Sequence, residues 1–509
     1  MDYRFYIIYV CLNSYNQRLS CSANCEDRVQ NKEYLVENLK NIVGDSYVIH
    51  EPEDLIVFEQ DASVDRSIPL AVVFPASTEE VSDVVSFAYE NEIPIVARGA
   101  GTGLSGGAIA DNGGFVIALT RMTDIIGIDI DNKLATVEPG VVNIDLSNKA
   151  LKHGLYFAPD PSSQKTCSIG GNVAENSGGP HCLAYGVTTN HVLGMEVVLA
   201  DGSVRWFGNQ LREHQGYDLR GIMVGSEGTL GIVTKIVVRL LNIPESTKTL
   251  LVVFKELSDA SAAVSAIIGA GIVPAAIEMM DQLCIEAAEA AVHAGYPDGA
   301  GAVLLVEVDG FEESVNEESQ EIENICRAHS MMDIKIATDY LDRERLWTGR
   351  KSVLGALGRL APNYYLMDGT IPRTKLMDVL NEINKISEKY HLPIANLLHA
   401  GDGNLHPAVL FNERKDGETV RALKAGGEIL KLCVESGGVL SGEHGIGLEK
   451  QEYMPLMFTD DDMQAMQQLM PAFGTKGLLN PGKIFPKGEP LQYLKQSTAI
   501  GNTGTGAYI

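Results

Sequence analysis

Cysteine is scarce and scattered. The eight cysteines among 509 residues stand at 11, 21, 25, 167, 182, 284, 326 and 433, with no CxxC pair and no ferredoxin-type run. That excludes an iron–sulfur cluster built by this chain alone and fits a reducing, cytoplasmic compartment. Any redox chemistry here therefore needs another carrier. No run approaches the ~20 apolar residues that span a bilayer, so a transmembrane segment is not expected. FYIIYVCL, Phe5 to Leu12, has a barely basic flank and no small-residue cleavage site, and reads as a disordered leader over 1–30. Basic residues are also in deficit: 40 Lys and Arg against 67 Asp and Glu leave a net charge of -27. Such a field repels nucleic acid and anionic lipid at long range, so an anionic small substrate has to be drawn in by local cations such as Lys165, Arg350 or Arg373.

The chain is too long for one ordinary core, since domains run to roughly 150 residues. Hydrophobic residues make up 45% and aromatics 6%, as in a folded globular protein. A polar helical start over about 32–43 leads into a region from Ile68 to Leu240 that is dense in glycine and short apolar runs (LAVVF, IPIVA, FVIAL, MEVVLA). These runs read as strands. Between the first two, Ser77 and Glu80 form a capping box, and Val81, Val84, Val85 and Ala88 share one face of the helix that follows. From Leu250 the texture changes to strands alternating with Ala-rich and acidic helices, an α+β or split-βαβ pattern. NIPEST, Asn242 to Thr247, is the natural boundary, and residues 489–509 read as a flexible tail. There is no internal sequence repeat.

RGAGTGLSGGA, Arg98 to Ala108, holds a literal GxGxxG at Gly101, Gly103 and Gly106. A Rossmann site requires a helix to open at the third glycine, but here a turn and another strand follow. No GK[ST] is present, so this is not a P-loop. What remains is a nest of glycine amides suited to a pyrophosphate. Three further glycine-dense segments, Pro159 to Pro180, Ala184 to Gly186 and Gly225 to Val238, imply a long ligand such as a dinucleotide.

HAGDGNLHP, His399 to Pro407, is followed by SGEHG, Ser441 to Gly445. The glycines and Pro407 argue for a turn between extended segments, which can aim both imidazoles at one point. With Glu443 they make two nitrogens and one carboxylate with open positions, a set that suits Zn, Mn or Fe(II). The competing reading is a hydrogen-bonded hairpin without metal. His444, next to a ligand yet free of the metal, is the candidate base. For His153, His181, His191 and His293 a structural role leads.

On these motifs, Ile68 to Leu240 resembles the FAD-binding domain of the vanillyl-alcohol-oxidase (PCMH) type flavoproteins. The chain from Asn31 to Pro486 resembles their FAD-linked D-2-hydroxyacid dehydrogenase branch, which includes glycolate oxidase D subunits and D-lactate dehydrogenases. The resemblance implies an α+β protein: a two-subdomain FAD-binding domain over 31–245 and a C-terminal α+β, ferredoxin-like substrate or cap domain over 246–488. It implies that Pro75 and the stretch Arg98, Gly99, Gly101, Thr102, Gly103, Leu104, Ser105, Gly106 and Gly107 hold the FAD pyrophosphate. Pro139, Gly140, Pro161, Ser168, Gly170, Gly171 and Asn172 would line the isoalloxazine, with Ser177 and Gly178 in the same site. Glu227, Gly228, Gly231, Ile232 and Val233 would lie near adenine and ribose, and Asn480 would return to the flavin.

The resemblance further implies that His399, His406 and Glu443 bind a divalent metal and that His444 is catalytic. By composition Arg350 reads as one of several cations on a solvated helix, with Arg343, Arg345 and Lys351. The resemblance places it in the pocket as a bidentate clamp for the substrate carboxylate. Positions that are polar in D-2-hydroxyglutarate enzymes fall near Leu354, Leu366 and Ala408, all apolar here, which favours glycolate or D-lactate over a five-carbon diacid. Flavin would accept the hydride equivalent. Iron–sulfur and second FAD-binding subunits are the implied partners, and through them the chain would associate with a membrane.

Overall fold

The computed structural model describes residues 25–211, 216–474 and 476–487, with side chains in the first helix from Lys32 onward. That helix, Cys25–Val43, begins within the stretch read as a leader. The rest of that stretch and the expected tail, 489–509, lie outside the described residues. Among the described residues no helix is long and apolar enough to cross a membrane.

The first sheet has four strands in the order β1 (Val48–Ile49), β2 (Ala71–Val73), β4 (Phe115–Ala118), β3 (Ile95–Arg98). β2, β4 and β3 are parallel, and the connection from β2 to β3 is the helix Thr78–Glu90. Ser77 caps that helix by accepting from Glu80 N, while Glu80 turns back to accept from Ala76 N at 2.7 Å. This is a capping box displaced by one residue. Val81, Val84, Val85 and Ala88 are fully buried against the sheet, as their spacing requires. From β3 to β4 the chain is strand, glycine loop, strand. A bridge pairs Ile95 with Leu479, so the C-terminal segment returns to the outer edge of β3.

The second sheet is antiparallel, in the order β5 (Ile125–Asp129), β6 (Leu134–Val137), β10 (Ile232–Arg239), β8 (Val192–Val198), β9 (Val204–Gly208). A short pair, β7 (Leu155–Tyr156) with β11 (Leu241–Asn242), leads out of it.

The third sheet is antiparallel and has seven strands in the order β15 (Asp333–Ile336), β12 (Ser246–Phe254), β14 (Ala302–Gly310), β13 (Ala276–Asp281), β17 (Ile394–His399), β18 (Asn404–Phe411), β16 (Asn363–Leu366). Its first four strands carry the split-βαβ order, with helices Leu257–Gly269 and Glu312–Ala328 as the crossovers. β16, helix Leu376–Tyr390, β17, β18 and helix Glu418–Glu435 then repeat the same sequence of elements. The topology repeats although the sequence does not. In this second half the fourth strand is reduced to one bridge, Val439 with Thr370, and the chain turns directly into the Ser441–Gly445 motif.

Both faces of this sheet are covered, which explains its continuous apolar strands. In β12, Leu250, Val252 and Phe254 join the core under the four helices just named, while Leu251 and Val253 join a second core. That second core is closed by the helices Gln282–Val292 and Tyr340–Leu357.

A buried polar knot joins this sheet to the glycine-rich half. His181 Nδ1 is 3.0 Å from Asp160 Oδ2, and its Nε2 is 3.2 Å from Glu307 Oε1 on β14. Glu307 also receives Arg343 at 2.7 and 2.8 Å, Trp347 Nε1 at 2.7 Å and Thr249 Oγ1 at 2.6 Å. Tyr185 donates to Asp309 at 2.6 Å. Burial alone would lower the His181 value, but Asp160 and Glu307 hold it up at about 10. Because that value is raised above the unfolded value near 6.5, the stability it contributes is full below about pH 6.5 and lost as pH rises toward 10. Thermal unfolding followed from pH 6 to 10 should show a falling midpoint, and His181→Gln should flatten the slope. An unchanged slope in the variant would mean the knot is not a charged clasp.

Candidate active site

A cavity of about 500 Å³ lies between the glycine loops and the cap sheet face that carries helix Tyr340–Leu357. Every residue expected to hold the cofactor lines it except Pro75, Ser105, Gly106, Gly140, Gly178 and Asn480. These six stand behind the lining. Pro75 is buried just past β2. The Ser105 carbonyl accepts Leu448 N and Glu449 N at 2.8 and 3.2 Å. Gly106 turns the loop at φ +78°, and a Cβ at Gly140 would lie 2.4 Å from the Leu119 carbonyl oxygen. A Cβ at Gly178 would lie 2.8 Å from Glu443 Oε2. Asn480 donates from its side chain to the carbonyls of Gly107 and Glu227 at 2.9 and 2.6 Å, tying two loops together instead of facing the cavity.

The loop suits a pyrophosphate. Among the described residues, no hydrogen bond is accepted from any backbone N–H between Ala100 and Gly107, and Arg98 Nη1 is buried without a partner. A run of free amides beside a guanidinium is an anion cradle. Glu227 lines the cavity and has a second attachment. Its carboxylate accepts Ile446 N and Gly447 N, both at 2.7 Å, and so grips the loop after His444.

Strand register brings the cap residues together. Glu278 on β13 sits opposite His399 on β17, and on β18 His406 sits opposite Leu397, two residues before His399. Residues two apart on a strand share a face, so Glu278, His399 and His406 form one row across three strands. The His399 and His406 rings are 5.0 Å apart and perpendicular. Glu443 reaches in from its loop, with Oε1 at 3.2 Å from His399 Nε2 and 3.1 Å from His406 Nε2. Ligand atoms of these three lie within 4.8 Å of one another. His406 Nε2 and Glu443 Oε2 are buried without hydrogen bonds, as expected of groups waiting for a cation. Glu278 Oε1 holds His399 Nδ1 at 2.7 Å, which turns Nε2 toward the centre. Burial would lower His399, but the Glu278 and Glu443 carboxylates hold it well above the usual imidazole range. The site calls for positive charge.

A second triad, Asp368 with His406 and His444, is also compact. Its carboxylate is already used: Asp368 accepts from Gly442 N, Glu443 N and His444 N at 2.9–3.3 Å and from Lys450 Nζ at 3.1 Å. Asp368 therefore builds the loop, and Lys450, fully buried, neutralises it. His444 stacks on His406 with centroids 5.0 Å apart. Burial first of all pushes its value down to about 4, so the ring is neutral and able to accept a proton.

Arg350 lines the cavity but is not a free clamp. It is 2% exposed and ion-paired with Glu278, the same carboxylate that orients His399. The buried pair places Arg350 inside the protein, against the solvated-helix reading. Its Nε keeps no partner among the described residues. Leu354 and Leu366 line the cavity with Tyr364 and Leu397, and Ala408 is buried behind.

Glu278, Asp368, Glu175 and Lys450 were not found from motifs. A signal existed for two: AAIEMMD, with Glu278, and YYLMDGT, with Asp368, each put an acid into an apolar strand run, where a charge persists only if paired. His181 has the structural role expected of it.

Two family models match the chain. One described as "FAD binding domain" covers residues 69–208, and one described as "FAD linked oxidases, C-terminal domain" covers 243–484. The chain is 44% identical over 473 residues to "Glycolate oxidase subunit GlcD" of Escherichia coli (strain K12), covering 93% of this chain and 94% of that protein. It is 34% identical over 418 residues to "D-lactate dehydrogenase" of Archaeoglobus fulgidus, covering 82% and 91%. Among solved structures, p-cresol methylhydroxylase with substrate bound superposes at a TM-score of 0.77 with 19% identity, covering 89% of this chain and 97% of that one. That likeness is one of fold.

Removing Glu278 alone should strand the Arg350 charge in the core. Glu278→Ala is expected to cost about 3–5 kcal/mol in urea unfolding, and adding Arg350→Met should recover most of the loss. A single variant as stable as the parent would show that the pair carries little.

Proposed function

This chain belongs to the FAD-linked oxidase family, and from that premise we propose that it oxidises a short 2-hydroxy acid, glycolate or D-lactate, to the 2-oxo acid. The observation that carries this reading is the neutral His444 ring on the wall of the cavity that the glycine loops also line, stacked on His406 and beside Glu443. We take residues 31–245 as the FAD-binding unit and 246–488 as the cap.

The glycine loops with Arg98 would hold FAD, which would supply a hydride acceptor, and His399, His406 and Glu443 would hold a divalent ion, which would supply Lewis acidity. The chain's own residues do the rest. His444 takes the hydroxyl proton at a ring nitrogen. Asp368 and Glu227 hold the loop that carries it, so the ring is placed before substrate arrives. Arg350 and Lys351 supply positive charge at the cavity wall inside an acidic protein, and Arg350 Nε remains free for the substrate carboxylate. Leu354, Leu366 and Ala408 provide no partner for a distal carboxylate. Zn, Mn and Fe(II) all suit the donor set.

With no cluster-type cysteine spacing in the chain, electrons leave to partners. We assign that role to iron–sulfur and second FAD-binding subunits, through which the protein is held at a membrane. The Escherichia coli relative is named as a subunit, which supports the existence of partner subunits.

Anaerobic addition of glycolate or D-lactate should bleach the flavin absorbance of the purified protein, and D-2-hydroxyglutarate should do so far more slowly. His444→Ala should slow bleaching by at least about 100-fold, the usual yield of a positioned base. Chelation should slow it too, with recovery on adding back one of Zn, Mn or Fe(II). A preference for D-2-hydroxyglutarate would overturn the apolar-pocket argument, and full-rate bleaching in His444→Ala would remove the base.

A further inference from the structure

Glu175 is the last residue of helix Ile169–Glu175 and lines the cavity, yet the chemistry above gives it no task. It stands one helical turn after Gly171, so the two share a helix face. The chain is built around its carboxyl from two sides. A Cβ on Gly107, in the glycine loop, would lie 2.6 Å from Glu175 Oε1. A Cβ on Gly445, in the loop that carries His444, would lie 2.3 Å from Glu175 Oε2. Gly107 does not have a positive φ, so its contribution is the room it leaves for this carboxyl, whereas Gly445, at φ +86°, also suits glycine by conformation. Two segments more than three hundred residues apart thus leave space for one acid.

Among the described residues no N–H or O–H donates to the Glu175 carboxyl, and Oε2 is shut off from solvent without a partner. Burial raises its neighbour Glu227 as well, but there two backbone amides at 2.7 Å, which Glu175 lacks, oppose the shift and favour the charged form. Burial first, then the charges of Glu227 and Asp61, raise Glu175 well above the usual carboxylate range, with Lys450 and Lys483 opposing. When two adjacent carboxyls sit in environments this different, the proton resides on the one with nothing to accept. A protonated carboxyl facing a cavity offers what a carboxylate cannot, an O–H donor.

We propose that the Glu175 carboxyl donates a hydrogen bond to the flavin bound in this cavity and thereby makes the cofactor easier to reduce. A flavin that takes up a hydride equivalent gains negative charge, and a fixed donor in a water-poor pocket favours that form. Glu175 is a tuning residue for the cofactor, distinct from the base His444 and from the metal-ligand row. The inference rests on the FAD reading above and adds a residue to it.

The test is the midpoint potential of the bound flavin, measured by equilibration with a reference dye in the full-length holoprotein. Glu175→Gln keeps a donor of the same length and should stay close to the parent. Glu175→Met keeps the length without a donor and should shift the reduced-to-oxidised ratio about tenfold against reduction, about 30 mV lower for a two-electron couple. Glu175→Ala also lacks the donor, so loss of flavin from one apolar variant leaves the other to be read. A Met or Ala variant at the parent potential overturns the proposal, as does a Gln variant shifted as far as Met. Failure of the parent protein to bind FAD at all would instead bring down the family-based reading.

Discussion

The site depends on two buried carboxylates gripping one loop by its backbone. Asp368, from the end of β16, accepts the amides of residues 442 to 444, and Glu227, from the glycine-rich half, accepts those of 446 and 447. Charge-assisted hydrogen bonds to backbone amides are strong and directional. Between them the loop is held from both halves of the protein, and Glu443 and His444 lie in the span. Lys450, fully buried, returns to Asp368 and to the Gly445 carbonyl at 3.0 Å, which closes the loop on itself. Glu443 and His444 are thus placed by main-chain bonds that survive side-chain motion.

The cap explains why that loop is available. Its second half repeats the strand–helix–strand–strand–helix order of its first half, then stops short of a fourth strand after one bridge at Val439. Backbone groups that would have paired in a sheet are offered to Asp368 instead, and must be satisfied somewhere because the region is buried. Loss of a strand at one sheet edge creates the pocket wall. The same sheet supplies the row of Glu278, His399 and His406 through register alone, since a one-residue slip of β17 would send His399 to the opposite face.

Glu278 adds a coupling that the motifs did not suggest. One carboxylate orients His399 and neutralises Arg350, so the ligand set and the cavity cation share a counter-ion. Electrostatics in this pocket is therefore one network and not a set of independent contacts, as low dielectric requires.

Local pattern determined much by itself. The Ser77 cap and the apolar face of Thr78–Glu90 follow from spacing, and the strand–loop–strand around Arg98–Gly107 follows from the turn after the third glycine, which is why a Rossmann reading fails. The turn between His399 and His406 follows from Gly401 and Gly403, and the flanking strands from the apolar runs beside it. These features depend on residues a few positions apart. Glu278 opposite His399, Glu227 on the amides after His444, Glu175 between Gly107 and Gly445, and Arg350 turned inward were decided only by the tertiary structure. Each joins residues dozens to hundreds of positions apart, and what selects it is the cost of leaving a buried charge or backbone amide unpaired, a quantity that exists only once the chain has folded around it.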